Sequence, residues 1–265
     1  MRKKLPGVYP ASKKDGTLYY RASLTYSRKH ISLGSFSSEE AAHNAYTDAC
    51  SLLHTNSLSI EDYAKDSSPL SFEKWVCLIN LRDNKLYFHT PIYLRPKFFY
   101  YYLSQTEILK FDSDDLFYYS SHKIMKRNGH LFVSDYGMQV NIMSRYGIKN
   151  YAVEGRDYLF INGDSYDFRY ENIEIINRFH GVTRLKKSDG CLYCARIHIN
   201  GYFLIGTYQT EAEAAIAYNK AIDSLKKAGV SKQYTPNYID FLSPSAYADL
   251  YASLEISSKI TNFKL

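Results

Sequence analysis

Tyr20-Arg21-Ala22-Ser23-Leu24-Thr25, Ile31-Ser32-Leu33-Gly34-Ser35-Phe36 and then Ser38-Glu39-Glu40-Ala41-Ala42-His43-Asn44-Ala45-Tyr46-Thr47-Asp48-Ala49 form a pattern that the chain uses twice. It returns as Tyr193-Cys194-Ala195-Arg196-Ile197-His198, Phe203-Leu204-Ile205-Gly206-Thr207-Tyr208 and the run from Thr210 to Ala221. Gly7-Val8-Tyr9 precedes the first copy and Gly181-Val182-Thr183 the second. Tyr20, Ala22 and Leu24, like Tyr193, Ala195 and Ile197, alternate with polar residues, the period-two mark of a strand with one apolar face. After Gly34 and Gly206 the period becomes helical: Ala42, Ala45, Tyr46 and Ala49 stand at i, i+3, i+4 and i+7, matched by Ala214, Ala217, Tyr218 and Ala221. Ser38 and Thr210 suit N-caps, and Glu213 completes a capping box with Thr210. An alanine stripe lets a helix lie close on a sheet, so each copy predicts strands with a helix on one face.

The helix leaves the other face of the sheet outward. Arg21, Ser23, Thr25, His30 and Ser32 belong to it in the first copy, and Cys194, Arg196, His198 and Tyr202 in the second. Basic turns flank both faces: Lys13 and Lys14 with Arg28 and Lys29, and Arg184 with Lys186 and Lys187. A solvated polar face would explain the strand residues, whereas the lysines and arginines beside them suit a rim that touches phosphates.

Charge distribution supports the second view more than net charge does. The chain of 265 residues carries only +6, but residues 1–35 hold eight Lys/Arg against Asp15 alone, and residues 36–63 hold five acids and no Lys/Arg. Fourteen bases and fourteen acids cancel over 64–177, and residues 178–210 return to five Lys/Arg against Asp189. Apolar residues at 45% and charged residues at 23% are ordinary for a soluble protein, while 27 tyrosines suit both β-rich packing and a wet interface. No apolar run approaches the roughly 20 residues that span a bilayer, and Met1-Arg2-Lys3-Lys4-Leu5-Pro6 has no apolar segment behind it. The expectation is a soluble chain in the cytoplasm, associated with the nucleoid, with no membrane partner. Cys191-Leu192-Tyr193-Cys194 has CxxC spacing but no second ligand pair, so it is read as two strand thiols, with no metal and no cofactor.

The Gly-Val start, the strand with its inward alanine, the Leu-Gly-Ser-Phe or Ile-Gly-Thr-Tyr turn and the Glu-x-x-Ala-x-x-Ala-Tyr-x-x-Ala helix together resemble the APETALA-type (ethylene-response-factor) DNA-binding domain. The resemblance covers about residues 5–54 and 179–238 and includes Asn237, which matches the family's closing asparagine. It implies a three-stranded antiparallel sheet in the major groove whose outward side chains read base edges. By position the readers are Tyr9, Arg21, Ser23, Thr25, His30 and Ser32 in one copy, and Thr183, Cys194, Arg196, His198, Tyr202 and Leu204 in the other. The chain departs from the plant pattern in having fewer arginines and no tryptophan there.

Between the copies, Trp75-Val76-Cys77-Leu78-Ile79, Leu86-Tyr87-Phe88 and Phe98-Phe99-Tyr100-Tyr101-Tyr102 read as strands and core, and Asn128-Gly129 as a hairpin turn. The run from Phe160 to Ile173 resembles the second half of an HNH homing-endonuclease domain, in which a His-Ile-Asn-Gly-Asp turn leads into a helix. HNH domains joined to an APETALA-type module are a familiar pairing in mobile elements. HNH hydrolysis needs a histidine base and a metal held by His, Asp or Asn. The base position is Phe160, preceded by Leu159, and the family's His-Arg pair is replaced within Val140-Asn141-Ile142-Met143. Asn162, Asp164, Asp167 and Asn172 remain, residues that equally suit a tight turn and a helix start, and nothing in the sequence brings His122 and His130 together.

The fold class expected is α+β: two three-stranded antiparallel sheet-plus-helix modules flanking a mixed α+β HNH-like domain. The boundaries are 1–63, 64–178 and 179–240, with a C-terminal helix and tail over 241–265. Ser243-Pro244, then Tyr247, Leu250, Tyr251 and Leu254, reads as an amphipathic helix packing back on its own domain. The function implied is a sequence-specific double-stranded DNA-binding protein, a transcriptional regulator descended from a homing endonuclease and not an enzyme. Its middle domain is left to grip DNA, to form a homodimer or to bind a ligand or partner protein. An active divergent HNH nuclease and a protein-interaction adaptor or antagonist are the alternatives.

Overall fold

The computed structural model describes residues 4–188 and 190–264, so Met1–Lys3 of the basic N-terminal run and Asp189 lie outside it. The chain is mixed α+β, with small antiparallel sheets and helices divided between two compact units. One unit runs from the N-terminal side to Asn141 and takes in Asp164–Asn172; the other comprises Ile142–Gly163 and the chain from Ile173 onward. The stretch 64–178 contributes to both. No helix among the described residues is long and apolar enough to cross a membrane.

The first unit opens with a sheet in the order β1 (Val8–Ser12), β2 (Leu18–Tyr26), β3 (Lys29–Phe36), covered by helix α1 (Glu39–His54). The Ser38 side chain caps α1 by accepting from the Ala41 N–H at 3.1 Å. Ala42, Ala45 and Ala49 are fully buried against Ala22, Leu24, Ile31 and Leu33. The same core continues into α2 (Phe72–Asn84), capped by Ser71, through Trp75, Val76, Leu78 and Ile79. The strand expected at Trp75–Ile79 is therefore a helix. A five-residue apolar run carries no period of its own, and the Ser71 cap decides the matter. Leu86-Tyr87-Phe88 is irregular rather than a strand.

A second sheet, β4 (Ile92–Leu94), β5 (Phe98–Tyr102) and β6 (Ile108–Asp112), buries Phe99, Tyr101 and Phe111 against Tyr119 of α3 (Leu116–Ser121). A third contains β7 (Ile124–Arg127), β8 (His130–Asp135) and β9 (Met138–Asn141). Asn128 and Gly129 join β7 to β8 with φ of 50° and 80°, the left-handed pair that a two-residue hairpin turn requires.

In the second unit, β10 (Tyr158–Phe160) pairs antiparallel with β11 (Ile173–Ile175). A sheet β12 (Val182–Lys187), β13 (Gly190–His198), β14 (Tyr202–Tyr208) follows, covered by α4 (Glu211–Lys227). The Thr210–Glu213 capping box is present. Helix α5 (Pro244–Ser253) starts at the Ser243 cap with Pro244 at its first position and packs on the α4 core through Tyr247, Leu250 and Tyr251. The short α6 (Ser258–Thr261) buries Ile260 in the same core.

Two devices recur in both end modules. At each start a glycine in left-handed backbone, Gly7 or Gly181 with φ of 74° or 71°, lies under the ring of Tyr46 or Tyr218. A Cβ would come within 2.1 Å of Tyr46 in one and 2.3 Å of Tyr218 in the other, so both geometry and space demand glycine. In each sheet a β-bulge breaks register between Ala22 and Ser23 or between Ala195 and Arg196, leaving Leu33 or Ile205 as the extra, buried residue.

The second module is also closed by Asn237. The His180 N–H donates to Asn237 Oδ1 at 2.7 Å and Asn237 Nδ2 donates to the His180 carbonyl at 3.0 Å. The Asn237 N–H in turn donates to Asn219 Oδ1 at 2.7 Å, and Asn219 Nδ2 donates to the Asn237 carbonyl at 2.8 Å.

Gly181→Ala is expected to destabilise the second unit by about 2–3 kcal/mol, through overpacking added to left-handed strain. Gly155→Ala, where φ is 78° but nothing lies within 4 Å, should cost only about 1 kcal/mol. Urea unfolding of the two variants checks the order; equal losses would contradict the account of Gly181.

Candidate nucleic-acid interface

The outward face of the first sheet is laid out in rows by the strand register. Tyr9, Arg21 and Ser35 stand opposite one another across β1, β2 and β3; beyond the bulge Ser23 faces Ser32 and Thr25 faces His30. Tyr9, Arg21, Thr25, His30, Ser32 and Ser35 are exposed. Ser23 is a correction: only 7% of it is exposed. It alternates to the outer side, but a short side chain on the central strand, next to the bulge, is recessed between its neighbours. Ser35, absent from the sequence reading, joins the face because the bulge resets the alternation along β3.

The basic turns are exposed around this face. Lys13 and Lys14 lie in the β1–β2 connection, where the Lys13 N–H donates to the Thr17 carbonyl at 2.9 Å and Asp15 accepts from the Thr17 N–H. Arg28 lies in the β2–β3 turn, where Ser27 and Arg28 both adopt positive φ, 47° and 66°. A non-glycine pair in left-handed backbone carries strain of about 1–2 kcal/mol per residue, and here it holds a cation at the end of β2 and β3. Among the described residues the side chains of Lys13, Lys14, Arg21, Arg28 and Lys29 form no ion pair or hydrogen bond.

The second face repeats the register with different side chains. Thr183, Cys194 and Thr207 form one row, Arg196 faces Leu204, and His198 faces Tyr202. Thr183, Arg196, His198, Leu204 and Tyr202 are exposed, Tyr202 by 80%. Cys194 is the second correction, only 3% exposed, recessed on the central strand as Ser23 is. It occupies the register position of Arg21, so the first face carries its arginine in the outer row and the second carries Arg196 beyond the bulge.

Lys186 and Lys187 are exposed and, among the described residues, without side-chain partners. Arg184 differs: it is half-buried, its guanidinium 4.0 Å from Glu174 of β11. One cation the sequence reading missed is Lys232. Its ammonium lies 2.9 Å from His198 Nδ1 and 2.9 Å from the His198 carbonyl. An ammonium only donates, so Nδ1 accepts and the His198 proton sits on Nε2. Lys232 lies beyond α4, 34 residues from His198, and no local pattern could connect the two.

The segment from Phe160 to Ile173 makes structural contacts. Phe160 is buried and pairs with Ile173. The helix implied over the following residues is a single 3₁₀ turn, Tyr170–Asn172, leading straight into β11. The chain is committed elsewhere: Asn172 Nδ2 donates to the carbonyls of Asp164 (3.3 Å) and Asp167 (2.8 Å), and the Tyr170 N–H donates to Asp112. Asp164 also accepts from the Tyr166 N–H. Buried Asp167 accepts from Arg169 Nη2 at 2.6 Å and lies 3.7 Å from Lys110. His122 lies 3.6 Å from Asp135. Among the described residues no group of three His, Cys, Asp or Glu is placed to hold a metal. No protein-family profile, curated protein sequence or solved structure matches the chain.

Burial alone would raise the Asp167 carboxyl, but hydrogen bonds from Arg169 and the charge of Lys110 hold it below its ordinary value of 3.8. A depressed carboxylate stabilises the fold fully above the unfolded value and loses that contribution as pH falls through the folded one. The thermal stability of the first unit should therefore fall as pH drops below about 4. Asp167→Asn should be less stable than wild type at neutral pH, with a shallower acid decline; an unchanged acid decline would remove Asp167 as its cause.

Proposed function

We propose that the chain is a sequence-specific double-stranded DNA-binding protein, a transcriptional regulator without catalytic activity, with an APETALA-type module at each end and a degenerate HNH-like remnant between them. One observation carries the reading: each terminal sheet, covered by a helix on one side, presents on the other a registered face of mostly exposed side chains rimmed by cations without acidic partners, Lys13, Lys14, Arg28 and Lys29 in the first module and Lys186 and Lys187 in the second. Uncompensated cations around a concentrated donor face are what a polyanion with readable edges selects. A sheet of this width enters the major groove, where an arginine can donate both its hydrogen bonds to guanine O6 and N7.

The two faces then differ in what they read. Arg21, with Tyr9 and Ser35 in its row and Thr25 and His30 nearby, forms the arginine-centred reader. Arg196, Tyr202, Leu204 and the Nε2–H of His198 offer the second module one strong donor and apolar contact for a thymine methyl. Lys13, Lys14, Arg28, Lys29, Lys186 and Lys187 contact phosphates. Tethering two readers on one chain raises affinity through effective concentration when the half-sites are suitably spaced.

Selection from random duplexes by the full chain tests this. An enriched sequence containing guanine is expected, and Arg21→Ala should weaken binding to it by roughly tenfold to a hundredfold and relax one position. Lys186→Ala with Lys187→Ala should weaken all duplexes alike and flatten the salt dependence by about 2 in log–log slope. Recovery of no enriched sequence would overturn the reading.

A further inference from the structure

A cleft of about 440 Å³ opens in the second unit, a volume within the range of small-ligand sites. Its walls come from Tyr146 and Gly147, from Ile175 at the end of β11, from Arg178-Phe179-His180 before β12, and from the loop Thr235–Asp240 between α4 and α5. We propose that this cleft binds a small aromatic zwitterion of the amino-acid type, its ring against Phe179 and Tyr238, its carboxylate on Arg178 and its ammonium on Asp240.

Aromatic surface supplies the first part of the argument. Phe179 and Tyr146 are nearly buried in the wall, while Tyr238 stands 86% exposed at the cleft. Tyr238 is held in place by its neighbour Asn237, whose backbone and side chain make the four hydrogen bonds that close the module. A large ring presented to water on an anchored loop offers a ready stacking surface at little entropic cost to the complex.

The charges supply the rest. Lys149 also lines the cleft, but its ammonium is consumed by Asp157 at 2.9 Å and by the Phe179 carbonyl at 2.9 Å. Burial, reinforced by the charge of Lys149, lowers the His180 pKa and keeps its imidazole neutral. What remains among the described lining residues is one exposed guanidinium, Arg178, and one exposed carboxylate, Asp240, neither with an ionic partner. A simple anion would leave Asp240 facing like charge and a simple cation would do the same to Arg178; a ligand carrying both charges satisfies each.

Isothermal titration calorimetry of the full chain with L-tryptophan, 3-indolepropionate and tryptamine tests the assignment without reference to DNA. One-site binding of L-tryptophan is expected, with the two singly charged analogues weaker by about tenfold or more. Arg178→Ala and Asp240→Ala should each weaken L-tryptophan by a similar factor, and Tyr238→Ala by several-fold; all three side chains are exposed, so the fold tolerates their loss. Absence of binding heat at millimolar L-tryptophan, or the same affinity in all three variants as in the wild type, would overturn the proposal.

Discussion

A three-stranded sheet has two faces, and a single helix can cover only one. In both terminal modules the contact between helix and sheet is set by small side chains: Ala42, Ala45 and Ala49 in one, Ala214, Ala217 and Ala221 in the other, all fully buried. Close approach is completed by a tyrosine ring laid over a glycine that has no room for a Cβ. Everything of functional interest follows from that contact, because it fixes which side chains of β2 and β13 are spent on the core and which are turned outward.

The bulge refines the division. By inserting Leu33 or Ile205 into the core it lets the third strand bury two apolar residues in the same region and still return polar residues to the outer side. The same framework thus carries two unlike faces. Arg21 and Cys194 share a register position, yet one is an exposed cation and the other a buried thiol. In the proposed reading the modules are unequal readers, the first centred on Arg21 and the second on Arg196 with its aromatic and apolar neighbours.

Much of the end modules was legible because local signals agreed. Period-two alternation gave β2 and β13, the switch to helical spacing gave α1 and α4, and the caps Ser38, Thr210 and Ser243 are where the sequence placed them. Alternation overstated exposure at Ser23 and Cys194, since it gives direction and not depth. The bulges, the Lys232–His198 contact and the partners of Asn237 depend on pairings across strands or over dozens of residues, although the family resemblance singles out Asn237 itself. The middle was harder. Trp75–Ile79 forms a helix through its Ser71 cap, and Asp167 and Asn172 turn the chain into β11 where a helix was implied. Short apolar runs and turn-forming residues fit several local structures, and tertiary partners chose among them.

The claim at the centre is that the uncovered face of each terminal sheet lies against base edges in the major groove. Methylation interference at guanine N7, performed on the duplex that the full chain binds most tightly, addresses that contact directly, because N7 lies in the major groove and nowhere else. Loss of binding on methylation of guanines within the bound site, abolished for one of them when Arg21 is alanine, is the result this account requires. Binding that is indifferent to N7 methylation throughout the site would contradict it.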